Sequence, residues 1–266
     1  MVTTGRFLNS QSVKLLMSYL DRQRQRRILA PIFNEQISES VWKESCRQAR
    51  AMLDYLEKHP GGETLDGLHN IAINILGHAG YGQSQDWFPE PYKLAGNIQK
   101  AELSYFNAIG LITVMLLEAA FLHPKLLKLP IMSPALRLLG KAMEGLPQMA
   151  KDLLDSERKS AKQGSAPRTN LLSMLIRLSD QGKREDKSGL FLTEDEIRGN
   201  LFTFSAAGFD TTANTMGYAV TLLATYPEWQ DWIRKELESF EEDGSKWEYE
   251  AIFPRCRRVL ALMVWP

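Results

Sequence analysis

The sequence predicts an all-α, mainly helical fold, and three observations carry that reading. Apolar residues recur at the spacing of helix faces along most of the chain. Strand-like alternation bounded by Asn-Gly or Asp-Gly turns is hard to find. Pro and Gly fall at the joints between periodic segments. The 266 residues are 44% hydrophobic and 24% charged, an ordinary globular composition with length for one large or two modest cores.

A basic helix covers about Ser12 to Ala30, and Pro31-Ile-Phe-Asn34 breaks it. A second helix runs from about Ser38 to His59, where Pro60-Gly-Gly62 ends it, and a third from about Leu65 to His78. Gly80 to Pro89 reads as a loop. Helices follow at about Tyr92 to Leu122 and Ser133 to Lys159, then the connection Gln163 to Arg168. A short helix, Leu171 to Leu178, precedes the charged loop Gln181 to Gly189, a candidate site of proteolytic nicking. Thr193-Glu-Asp-Glu196 matches the capping box, so a long helix starts there and runs to about Thr225. Pro227 suits the first position of a further helix, Pro227 to Phe240, and Pro254 opens the last segment.

Charge and motif content narrow the function classes. The 32 basic and 32 acidic side chains cancel, so no global field draws the chain to nucleic acid or an anionic membrane. Arg22 to Arg27 is a basic run without interleaved aromatics and reads as a solvated helix surface. Cys46 and Cys256 cannot form a disulfide framework, and neither has zinc-ligand spacing. The N-terminus lacks the apolar core of a signal peptide, so no secretion is implied and an intracellular setting is expected. The apolar segment Ala108 to Phe121 contains Glu118 and is shorter than the roughly 20 residues of a bilayer span. It reads as a core or interfacial helix. His59, His69, His78 and His123 show no metal-binding spacing and are read as surface or helix-end residues, so no metal-ligating residue is named. Neither a Gly-x-Ser-x-Gly elbow nor a phosphate loop is present; Gly80-Tyr-Gly82 reads as a turn.

One stretch does not suit the helix that contains it. Ser205 to Thr215 reads SAAGFDTTANT. Gly208, Thr211, Thr212, Asn214 and Thr215 together cost roughly 2–3 kcal/mol of helix propensity relative to alanine. At 100° per residue Phe204, Ala207, Gly208, Thr211, Thr215, Tyr218 and Leu222 share a face, small at its centre and large at its ends. Such a notch admits a flat or bulky partner close to the backbone, with the Thr211 hydroxyl pointing in and Asp210 alongside. It also suits a small-residue crossing of two helices, and helix chemistry alone leaves both readings open. Mid-helix threonines either bond back to the carbonyl four residues earlier or leave it free.

Ala207-Gly-Phe-Asp-Thr-Thr212 resembles the oxygen-activation motif, Ala/Gly-Gly-x-Asp/Glu-Thr-Thr/Ser, of the cytochrome P450 family of haem-thiolate monooxygenases. Leu201 to Thr215, Leu222-Leu-Ala-Thr-Tyr-Pro-Glu-Trp-Gln230 and Lys235-Glu-Leu237 are similar to that family's long central helix and its successor. Arg24-Gln-Arg-Arg-Ile-Leu-Ala-Pro-Ile-Phe33 resembles the propionate-contacting helix and the turn after it, and Leu76-Gly-His-Ala-Gly-Tyr-Gly82 the end of a later helix. The resemblance covers nearly the whole chain. It implies a partial cytochrome P450 fold built around the long helix. In it Asp210 is the proton-relay acid, Thr211 the hydroxyl at dioxygen, Ala207 and Gly208 the room for haem and dioxygen, and Arg26 a propionate partner. The implied cofactor is haem with its iron. The implied partners are a small organic substrate and an NADPH-dependent reductase, with no nucleic acid. The family is often anchored in the endoplasmic reticulum membrane, but no anchor is seen in this chain; Ile109 to Phe121 and Leu126 to Ile131 read as core, in a region that in family members borders the substrate channel and can touch membrane.

The sequence also departs from the pattern. A tryptophan expected four residues before Arg26 is Arg22, and a histidine common nearby is Gln25. The glycine-containing cysteine loop that supplies the axial thiolate is not found, nor is Glu-x-x-Arg; the residues around Cys256 look instead like the start of the family's next helix. The resemblance therefore describes residues 1–266 as a single partial domain, truncated at both ends, with no independent turnover expected. The alternatives are a non-catalytic helical interaction module, oligomeric through apolar faces, or the product of a truncated gene model.

Overall fold

The computed structural model describes residues 19–60, 64–89, 105–162, 170–185, 191–242 and 247–264. Helix α1 (Tyr19–Leu29) passes into a 3₁₀ turn, Ala30–Ile32, opened by Pro31. Helix α2 (Glu35–Lys58) starts three residues before the expected Ser38 because Asn34 caps it, its side chain accepting from the Ile37 N–H at 3.1 Å. Helix α3 (Thr64–Tyr81) outruns its expected end at His78. Gly80 and Tyr81 belong to the helix, and the chain turns only at Gly82, where φ is 68°.

The expected helix from Tyr92 to Leu122 enters the described residues at Tyr105 and is there two helices, α4 (Tyr105–Val114) and α5 (Leu116–Phe121). Met115 breaks it with φ −106° and ψ 43°, directly after the β-branched run Ile112-Thr113-Val114, whose stiff side chains favour a helix least. A short helix the periodicity did not suggest, α6 (Pro124–Leu127), has Pro124 at its first position and His123 as its cap. Helix α7 (Pro134–Lys162) carries Pro147 in its interior. Helix α8 (Leu171–Glu185) runs past the expected Leu178 and takes in the first part of the charged segment, since Gln, Lys, Arg and Glu are good helix formers. Residues 1–18, the connection at 163–169 and the rest of that charged loop, 186–190, lie outside the described residues.

Helix α9 (Glu194–Thr225) begins as the capping box predicts. Glu196 N–H donates to the Thr193 hydroxyl at 3.2 Å, and Thr193 N–H to the Glu196 carboxylate at 2.8 Å. Helices α10 (Pro227–Glu242), α11 (Tyr249–Ile252) and α12 (Arg257–Val264) complete the order, with Pro254 inside a 3₁₀ turn, Phe253–Arg255, that precedes the last helix. Among the described residues there is no strand.

The main packing is α9 on α3. Helix α9 buries Ile197, Leu201, Ser205, Phe209, Ala213 and Gly217, a column at four-residue spacing. Gly217 is small for a reason on this face: a Cβ there would come within 2.8 Å of Leu65 Cδ2. Leu139, Ala142, Leu172 and Leu175 extend the same core through α7 and α8. Each fully buried Leu, Ile or Phe contributes about 1.5–3 kcal/mol. Two smaller clusters attach to it, Met52, Leu68, Ile71 and Trp87 between α2 and α3, and Phe240, Ile252 and Cys256 near Trp42.

Candidate functional site

The column Ala207, Thr211, Thr215 lies two residues beyond the buried Ser205, Phe209, Ala213, and two residues turn a helix by about 200°. All three are exposed, as are Tyr218 and Leu222 further along. One face of α9 is therefore core and the opposite face is, among the described residues, bare of side chains from other elements. Its N-terminal end is closed by an aromatic pair, Phe204 against Phe33, edge-to-face with ring centroids 5.6 Å apart. The turn after α1 thus sits at one end of the bare face.

Gly208 lies at the margin between the two faces. A Cβ there would meet only Leu76, with Cδ1 at 3.7 Å and Cδ2 at 4.0 Å, ordinary contact distances. Packing within the chain does not require this glycine, in contrast to Gly217 and to Gly140, where a Cβ would meet the Pro124 carbonyl oxygen at 2.8 Å. A Cβ at Gly217 would press on the Leu65 side chain, whereas one at Gly208 would make ordinary contacts with Leu76.

The threonines settle the other open choice. Thr211 donates its hydroxyl proton to the carbonyl of Ala207, and Thr215 does the same to Thr211 at 2.8 Å. With its proton engaged, Thr211 presents lone pairs to the bare face. Asp210 sits alongside, and its Oδ2 accepts from Asn214 Nδ2 at 3.0 Å. Its Oδ1 lies 3.6 Å from His69 Nε2, across from α3. His69, read from the sequence as a surface or helix-end residue, lies within α3 and is half-buried, 26% exposed, where that helix runs along α9.

Helix α1 is tied to the head of α9 by the two residues that precede the expected propionate partner. Arg24 bonds the Glu196 carboxylate and the Phe191 carbonyl, the latter at 2.6 Å. Gln25, buried, contacts Glu196 and accepts from Asn200 at 3.3 Å. Arg26 remains exposed, its guanidinium available to an anion.

Neither cysteine faces the bare side of α9. Cys46 is exposed on α2, and Cys256 is enclosed by Phe240 and Ile252. Burial, and then the neighbouring Glu236 carboxylate, push the Cys256 thiol up, which disfavours the thiolate an iron ligand must be.

A family model, cytochrome P450, matches residues 5–253. The chain belongs to the cytochrome P450 family. A phomenoic acid biosynthesis cluster cytochrome P450 monooxygenase of Leptosphaeria maculans is 31% identical over 91% of this chain and 43% of its own length. Cytochrome P450 monooxygenase 124 of Postia placenta is 27% identical over 86% of this chain and 43% of its own length. The chain thus spans less than half of these relatives. Among solved structures, a cytochrome P450, CYP102L1, superposes with a TM-score of 0.63 at 16% identity, covering 92% of this chain and 52% of the other. The heme domain of cytochrome P450DA gives 0.58 at 16% identity, over 81% of this chain and 42% of that one.

The cytochrome P450 family implies a haem cofactor. Ala207 and Gly208 put little bulk on this face of α9, which leaves room for a flat group, and Arg26 is exposed on α1. Sequence reasoning missed His69, Leu76 and Phe33 as neighbours of this face. Their positions depend on how α3 and α1 register against α9, for which no local motif gives a signal.

Proposed function

We propose that this chain forms the oxygen-handling wall of a haem-dependent monooxygenase that inserts one atom of dioxygen into a small organic substrate. Electrons would come from NADPH through a reductase, and residues 1–266 would act as one unit of that enzyme. The observation carrying this reading is the opposition of faces on α9: a packed column on one side, and on the other an unobstructed strip of Ala207, Gly208 and Thr211 with Asp210 at its edge.

Haem, when bound, supplies the redox chemistry that these side chains cannot. Ala207 and Gly208 would leave space beside the helix, and Arg26 would hold a propionate. Thr211 would accept a hydrogen bond while its own proton rests on the Ala207 carbonyl, and would donate once it lets that carbonyl go. Asp210, partly exposed, would bring protons from solvent to the neighbouring hydroxyl.

Haem uptake tests the reading directly. Titration of the chain with haemin, followed by size-exclusion chromatography with light scattering, should give a monomer carrying one haem, and Gly208→Phe should abolish uptake while leaving the helical content intact. Equal uptake by the two proteins would refute the assignment of this face. Because neither Cys46 nor Cys256 is placed on it, the reduced carbonyl complex should show no thiolate-type Soret band.

A second reading rests on exposure elsewhere. Leu117 is 72% exposed, Phe121 83% and Ile131 88%, a cluster of bare apolar side chains on α5 and beyond α6. Such a surface suits a peripheral membrane contact or self-association. Among the described residues no helix is long and apolar enough to cross a membrane. A haem-free oligomer in the same chromatography would favour an interaction module over the enzyme.

A further inference from the structure

His69 on α3 and Asp210 on α9 face each other, Nε2 to Oδ1, at 3.6 Å. His69 Nδ1 lies 2.9 Å from the Leu65 carbonyl oxygen on its own helix. A carbonyl only accepts, so Nδ1 carries the hydrogen. In the neutral ring Nε2 is then a bare lone pair, and it faces Oδ1 of Asp210 at 3.6 Å. Two acceptors facing each other repel. One additional proton, on Nε2 or on the carboxyl, turns that repulsion into attraction.

The surroundings favour this arrangement. Asn214 donates to the other carboxylate oxygen, Oδ2, at 3.0 Å, which fixes the carboxyl and leaves Oδ1 for His69. The Phe209 ring meets the imidazole edge-to-face at 5.8 Å and shields one side of the pair. Side-chain exposure of 26% for His69 and 40% for Asp210 keeps both in touch with solvent. The next residue, Thr211, faces the bare strip of α9.

We infer that His69 is a positioning residue for Asp210: with a second proton at Nε2 the imidazolium attracts Oδ1 and holds the carboxylate in place beside Thr211. The inference rests on the reading of Asp210 proposed above.

Its test needs no haem, so it fails or holds separately from haem uptake. In a long-range nitrogen–proton NMR spectrum of the chain, the His69 signals should show Nδ1 protonated, and His69→Gln should move the Asp210 carboxyl carbon resonance. Thermal unfolding of His69→Gln, Asp210→Asn and the double variant at about pH 6, where imidazole is ordinarily charged, should be non-additive by about 1–3 °C. That coupling should shrink in high salt, as an ion pair's does. A ring protonated on Nε2 alone, an unmoved carboxyl signal, or additive unfolding shifts would each overturn the inference. If haem uptake depends on Gly208 while these measurements fail, the enzyme reading stands and His69 has no part in it.

Discussion

Thr211 donates its hydroxyl proton to the carbonyl oxygen of Ala207, one turn earlier on the bare face of α9. A carbonyl that already serves the helix ladder thereby gains a second donor, and the hydroxyl gains a fixed orientation. The bond holds a residue chosen against helix propensity on an exposed face of the helix. It also separates stability from function, because an exposed side chain can be changed without disturbing the core.

Thr211→Ala should leave the chain as stable as before or raise its stability by a few tenths of a kcal/mol, since alanine is the better helix former and the site is exposed. Urea unfolding of the two proteins checks this. Under the proposed monooxygenase reading, the same change should lower product formation by about tenfold or more. A loss of stability beyond about 1 kcal/mol would show that the hydroxyl serves the fold instead.

Glycines on two helices should answer oppositely to alanine. Gly208→Ala adds a Cβ that finds Leu76 at 3.7 Å, so it should stabilise the haem-free chain by about 0.5–1 kcal/mol. Gly140→Ala drives a Cβ to 2.8 Å from a backbone carbonyl on α6, which cannot swing aside, and should destabilise by about 1–3 kcal/mol. Chemical denaturation of both variants is the check. A destabilising Gly208→Ala would mean that α3 and α9 need that glycine for their own approach.

The sequence spoke most clearly where the physics is local. Thr193 and Glu196 announce the start of α9 by their reciprocal bonds, Pro227 marks its successor, and rotation by 100° per residue places Ala207 and Thr211 on one face with no tertiary information. Asp210 and Thr211 were legible through their motif, and their roles remain proposals. What was not legible depends on register. Nothing near His69 in the chain says that it meets Asp210, 141 positions away, since only the length of α3 and its alignment along α9 bring them together. The split at Met115 was hidden because the apolar pattern continues through it, while backbone dihedrals do not. The extension of α8 was missed because charged residues mark loops by polarity but helices by propensity.

Two carboxylates should govern the acid limb of stability. Burial alone would raise Glu44, yet hydrogen bonds from Arg47 and Gln48 outweigh it and hold the carboxyl below its ordinary value of 4.5. Glu194 at the head of α9 is held below 4.5 first by its hydrogen bond from Arg158. A carboxyl depressed by folding stabilises above its unfolded pKa, and that contribution is lost as pH falls through the folded pKa. Stability should therefore hold above about pH 5 and drop below pH 4.5. Glu44→Gln should flatten this decline and cost about 1–3 kcal/mol at neutral pH, measured by unfolding as a function of pH.

The alkaline limb should belong in part to Tyr81. Its hydroxyl is buried beneath α9, donating to the Leu201 carbonyl at 3.1 Å and touching the Ser205 hydroxyl. Burial pushes it up to about 12 from an ordinary 10.0, against the opposing effect of the Ser205 bond. The folded state then keeps its proton where the unfolded chain has lost it, so stability present below pH 10 should drain away as pH rises toward 12. The loss attributable to this group is roughly 2–3 kcal/mol. Tyr81→Phe should remove it, at a cost near neutrality of about 1 kcal/mol, because Ser205 still bonds the Leu201 carbonyl at 2.8 Å. Unfolding curves collected from pH 8 upward compare the two proteins. An alkaline slope unchanged by the substitution would mean that the hydroxyl already reaches water, and that α9 is held on α3 by its apolar column alone.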